Sequence, residues 1–214
     1  MYKIRLRYSK TGKAKFISHL DLMSVMRSAF LRAGIGLSYS KGFNPHPYMS
    51  VALPLPVGCG SICELLDVGL TDDVIPDINS ITLPEGIAIE KAYKPVRRFS
   101  EIAWVEISGI LHYDKSVDND IINKLENSFA GDNIIISKRT KREQKDINIA
   151  PFIKNVKFSA NEIKSDVTMT AMISAVNPTL NTVDLLNALD KTQTPVHNDM
   201  KRIDIYDSGM LLFN

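Results

Sequence analysis

The chain reads as strand, helix, strand, strand, helix, strand, and then as the same order of elements again. That order predicts an α+β protein of two tandem ferredoxin-like (βαββαβ) domains with antiparallel sheets. Two local patterns anchor it: a strictly alternating first segment, and a helix with a recognisable signal at each end. The expected domains are 1–95, with a basic surface, and 101–214, joined by KPVRRFS at 94–100. The repetition lies in the order of elements alone.

In YKIRLRY, Tyr2, Ile4, Leu6 and Tyr8 fall on one side and Lys3, Arg5 and Arg7 on the other, which marks a half-buried strand with a cationic outer face. SKTGKAK follows with turn chemistry at Thr11-Gly12 and three lysines, but without the spacing of a nucleotide phosphate loop. Ser18 then caps a helix, with Asp21 in its first turn and Gly34 as a left-handed stop. At 100° per residue, Leu22, Met23, Met26, Ala29, Phe30 and Ala33 share the apolar face, with His19 at the N-terminal end of the buried side.

Next comes the loop KGFNPHPY, where Asn44 and His46 each precede a proline that stiffens the backbone. Residues 49–55 and 62–70 read as strands, 71–81 as a short helix, and 86–93 as a closing strand. In the second half, strands are expected at 103–112, 133–138, 167–175 and 201–206, and helices at 117–129 and 180–189. The charged stretch 140–161 suggests a hairpin or an extra strand pair.

The 214 residues suffice for one large domain or two small ones. No apolar run approaches the roughly 20 residues that cross a bilayer, and the first residues lack a signal-peptide core, so a cytoplasmic location is expected. The net charge of +2 conceals an asymmetry. Residues 1–50 hold nine basic residues against the single acid Asp21, a net of +8; the remainder carries 17 basic and 23 acidic residues, a net of −6. Such a distribution points to a polyanion or an acidic surface meeting the N-terminal part, unless acids elsewhere in the fold neutralise these cations.

Cys59 and Cys63 form a lone CxxxC pair without the third cysteine of a radical-SAM cluster, so no metal and no cofactor is expected. Catalysis would fall to histidine. His19 and His46 are the weak candidates, since a pair of imidazoles beside lysines suits metal-independent RNA cleavage. The residue types favour nucleic-acid binding more strongly: Lys10, Lys13, Lys15 and Lys41 for phosphates, Phe43 and Tyr48 for base stacking, Asn44 and His46 for hydrogen bonds. The Lys138–Lys145 run adds further cations.

The stretch containing FISHLDL and YSKGFNPHP resembles the opening of the radical-SAM-linked protein family, an uncharacterised domain found alone or appended to cobalamin-binding radical-SAM proteins. The resemblance is dense over residues 2–70. It implies a radical-SAM protein as partner, and a setting near ribonuclease and ribosomal components, but no catalytic residues. The order of elements and the histidine early in the first helix are also similar to CRISPR repeat-processing endoribonucleases. The glycine-rich loop expected near the C-terminus of those enzymes is not evident in KRIDIYDSGMLLFN. The leading expectation is therefore a non-enzymatic accessory protein that presents ribosomal or transfer RNA to a radical-SAM partner. A metal-independent RNA endonuclease and a protein-interaction subunit without a nucleic-acid role are the alternatives.

Overall fold

The computed structural model describes residues 1–139, 144–161, 163 and 165–213. Their contacts divide the chain into two compact units, Met1–Glu101 and Ile102–Phe213. Both are mixed α and β, with antiparallel pairing and few helices.

The first unit contains β1 (Tyr2–Lys10), α1 (His19–Arg32), β2 (Met49–Val51), β3 (Gly60–Leu70) and β4 (Ile87–Tyr93). Its strands lie in the order β4-β1-β3-β2. Alternation places Ile4, Leu6 and Tyr8 of β1 beside Leu66, Val68 and Leu70 of β3, and this face packs with Leu22, Met26, Ala29 and Phe30 of α1. Each large apolar side chain buried there contributes about 1.5–3 kcal/mol.

The helix is bounded as its sequence predicts. Ser18 Oγ accepts the Asp21 backbone N–H at 3.2 Å and donates to the Asp21 carboxylate at 2.7 Å. At the other end Gly34 turns at φ +71°, and Ile35 N–H returns to the Phe30 carbonyl. Ser18→Ala is expected to cost about 1 kcal/mol, read as a lower urea midpoint, because one first-turn amide loses its acceptor. An unchanged midpoint would show that the cap contributes nothing here.

Several expectations for this unit are corrected. His19 is exposed, because the buried stripe begins only at Leu22. The helix expected over 71–81 is reduced to a three-ten turn at Ile78–Ser80, since Pro76 supplies no amide for a helix crossing that segment. The strand expected over 49–55 ends at Val51. The outer face of β1 is less cationic than its composition suggests: Arg5 is 1% exposed and bound to Asp67 of β3, and Arg7 pairs with Glu90 of β4 at 3.2 Å.

The second unit contains β5 (Ile102–His112), α2 (Asn119–Asn127), β6 (Ile135–Arg139), β7 (Gln144–Asn148), β8 (Ile153–Ala160), β9 (Asp166–Ser174), α3 (Thr182–Leu186) and β10 (His197–Asp207). Its sheet runs β10-β5-β9-β8, with β6 and β7 as a separate hairpin. The charged stretch thus supplies a hairpin arm and an edge strand, while residues 140–143 of the basic run lie outside the described residues. In the core, Leu125 of α2 is buried, and Phe129 packs against Phe158 of β8 at 5.8 Å between ring centroids. Asn181 and Asp184 form a reciprocal capping box that starts α3, which is shorter than the expected 180–189 helix. β10 begins at His197, four residues earlier than its alternation indicates.

Candidate nucleic-acid interface

The basic turn after β1 is anchored from three directions. Thr11 N–H donates to the Gly86 carbonyl at 2.7 Å, and Gly58 N–H donates to the Lys15 carbonyl at 2.9 Å. The third anchor is Lys10, whose ammonium donates to the carbonyls of Ile17 at 2.8 Å and Lys15 at 3.4 Å. Lys10 is therefore corrected as a phosphate ligand: it is only 2% exposed, and its donors hold the turn from within. Burial is the main cause that lowers its pKa, with the nearby Glu64 acting the other way.

That anchoring leaves a short three-ten helix, Gly12–Phe16, displaying side chains to solvent. Lys13 is exposed and makes no ion pair with any described residue. Lys15 is half-buried, with its ammonium 5.4 Å from the Phe16 ring centroid. Phe16 itself is 62% exposed and Leu20, on the next turn of chain, 76%. Neither is among the sequence candidates, although an aromatic directly after two closely spaced lysines is the signal that finds Phe16.

The second loop is closed at its neck. Ser40 N–H donates to the His46 carbonyl at 2.8 Å, and His46 N–H donates to Ser40 Oγ at 2.9 Å. Tyr39 bridges Pro47 just inside, and Tyr48 N–H continues to the Ser38 carbonyl. With its backbone tied there, the loop presents Lys41, Phe43, Asn44 and His46 outward. Phe43 is fully exposed, and Tyr48 is exposed at the rim of a cavity of about 220 Å³ lined also by Lys3 and Asp67. An uncovered phenylalanine on a pre-formed loop offers apolar surface at low entropic cost.

The two loops do not adjoin. The basic turn follows Lys10, which pairs with Ser61 near the start of β3, whereas the neck of the second loop joins Gly69 and Leu70 at its end. Eight residues of strand separate these positions, about 26 Å at the usual strand rise. Helix α1 spans the interval, showing Leu20, Ser24, Arg27 and Leu31 to solvent. His19 and His46 belong to opposite ends of this arrangement, so they form no joint acid–base pair. In the other unit, Lys138 is withdrawn from the expected basic run: its ammonium binds the Asp184 carboxylate at 2.8 Å and the Thr179 carbonyl at 2.9 Å.

A family model described as an uncharacterized protein conserved in bacteria (DUF2344) matches residues 3–182. The chain belongs to that family. The family match includes both exposed loops and reaches the first residue of α3. Comparison with curated proteins finds no match. Among solved structures, the chain is similar to one in the crystal structure of a Cbf5-Nop10-Gar1 complex, with 11% identity and a TM-score of 0.54. The likeness covers 93% of this chain and 47% of that one, so this chain spans about half the length of its neighbour. At that identity the likeness concerns the fold. Among the described residues no helix is long and apolar enough to cross a membrane.

Proposed function

We propose that this protein is a non-enzymatic, cytoplasmic accessory factor that binds RNA through its N-terminal unit and presents it to a radical-SAM partner. The observation that carries the RNA reading is the exposure of Lys13, Arg27 and Lys41, none ion-paired with a described residue, together with the exposed side chains of Phe16 and Phe43. Cations for phosphates and rings for unstacked bases are what single-stranded or looped RNA requires. The positions on β3 beside the bases of the two loops are about 26 Å apart along the strand, a span that suits a polymer rather than a small metabolite. The radical-SAM partner rests on the resemblance carried by FISHLDL and YSKGFNPHP. The strand order β4-β1-β3-β2 around one helix supports a ferredoxin-like reading of the first unit, and we extend that reading to the second.

The test is fluorescence-anisotropy titration of a poly(U) strand and of bulk transfer RNA between 50 and 200 mM KCl. Lys13→Ala with Lys41→Ala is expected to weaken binding and to flatten the salt dependence by roughly 0.7 in slope per lost contact for the single strand. Phe43→Ala should cost about 10- to 100-fold if a base stacks there. Affinity unaffected by all three substitutions would refute the RNA reading.

One observation favours a second reading. Leu20 and Leu31 are exposed on the same side of α1, on either side of Arg27, a pattern that suits a protein contact. In that case Leu20→Ser would release a protein partner while leaving RNA titrations unchanged.

A further inference from the structure

A second cluster, in the other unit, arises from strand register. His112 ends β5, His197 begins β10 and Asp166 begins β9; His197 and Asp166 stand directly opposite His112 on its two sides. The imidazoles of His112 and His197 stack, with centroids 5.6 Å apart and planes 19° from parallel. The Asp166 carboxylate lies 2.9 Å from Nδ1 of His112, with an Asp166 side-chain exposure of 6%. Nδ1 of His112 thus faces the carboxylate, which leaves Nε2, on the far side of the ring, as the atom that can meet another partner. The His112 side chain is 36% exposed, and His197 is exposed.

The backbone around this cluster is tied down. Val196 N–H donates to the His112 carbonyl at 2.8 Å, Tyr113 N–H to Ser165 at 2.9 Å, and Asp166 N–H to Ile163 at 2.8 Å. The three side chains thus sit on strand ends whose positions are already set.

We propose that His112 and His197 form a two-imidazole chelate for a divalent transition-metal ion of the zinc, nickel or copper type, oriented by Asp166. Directly opposed residues on antiparallel strands have Cβ atoms about 4.5–5.5 Å apart, which lets two imidazoles turn toward one ion. A carboxylate on the far nitrogen is the usual support of a metal-binding histidine, fixing its tautomer and raising its basicity. Neutral imidazole selects such ions over magnesium or calcium, which prefer oxygen. Among the described residues no group of three histidine, cysteine or carboxylate side chains could hold a metal ion. Water, or a donor atom from a bound ligand, completes the coordination. All three residues belong to the second unit, and the inference does not rest on the RNA reading.

The experiment is calorimetric titration of the chelator-treated full chain, without RNA, using zinc, nickel and magnesium chlorides. One zinc or nickel site per chain and no magnesium binding are expected. His112→Gln and His197→Gln should each abolish it; the latter is exposed, so loss of binding with an unchanged circular dichroism spectrum excludes unfolding as the cause. Asp166→Asn should weaken binding about 10- to 100-fold. Loading with cobalt(II) gives a second readout, with nitrogen and oxygen bands only. The proposal is overturned by no binding in the wild type, by undiminished binding in both histidine variants or in Asp166→Asn, or by a thiolate-to-cobalt band assigning the ion to Cys59 or Cys63.

Discussion

Asp67→Ala is expected to destabilise the protein by about 3–5 kcal/mol, seen as a large fall in urea midpoint. Arg5 donates through Nε at 2.6 Å and Nη2 at 3.0 Å to the two Asp67 oxygens, and its guanidinium lies 4.1 Å from the Phe99 ring centroid. Tyr93, opposite Arg5 on β4, has its pKa raised chiefly by burial, so its phenol stays neutral beside the pair. Removing the carboxylate leaves a guanidinium in a place that water scarcely reaches. Lys3 is no substitute, since it shares the charge of Arg5 and reaches Asp67 only at 3.8 Å from a half-exposed position. The control is Arg5→Met with Asp67→Leu: replacing both charges by apolar groups should recover most of the loss, because the damage comes from burying a guanidinium without the Asp67 carboxylate. A single variant as stable as the wild type would show that Arg5 finds water or another acceptor.

The same pair shows where the sequence is legible and where it is not. Alternation in YKIRLRY locates β1 and its apolar face, since the pleat alone determines which side chains share a face. It says nothing about what covers the other face, so Arg5 reads as solvated until β3 brings Asp67 opposite it. Lys10 is missed for another reason: it falls in step with Tyr8 on the apolar side, and the carbonyls of Lys15 and Ile17 that receive its ammonium come from the turn that follows. The helix α1 is legible at both ends because Ser18, Asp21 and Gly34 act within a few residues of themselves, whereas the position of His19 depends on where the sheet ends beneath it. The GFNPHP loop is recognisable from its prolines and its exposure follows; its distance from the SKTGK turn requires the pairing of β3 with both neighbours. His112, Asp166 and His197 are separated by tens of residues and meet only through register, which composition does not encode.

Gly86→Ala should cost about 3 kcal/mol and also weaken RNA binding, although position 86 carries no cation and no aromatic ring. Gly86 has φ +87°, a region that penalises any Cβ, and an ideal Cβ there lies 2.5 Å from the Thr11 carbonyl oxygen and 3.0 Å from the Ala14 Cβ. The Gly86 carbonyl simultaneously accepts Thr11 N–H at 2.7 Å, so the obstructed atom belongs to the segment this glycine holds in place. Relief of the clash must push Thr11 and Ala14 outward, displacing Lys13 and Phe16 with them. Gly12→Ala separates the two effects: Gly12 also has positive φ, +53°, but nothing stands within 4 Å of its added Cβ. That variant should lose only about 1–2 kcal/mol through strain and leave the neighbouring backbone in place. If the two variants match in both urea midpoint and poly(U) affinity, the contact of Gly86 with Thr11 does not position the basic turn. If Gly86→Ala alone loses affinity while Lys13 is intact, the turn's placement contributes to binding beyond the charge it carries.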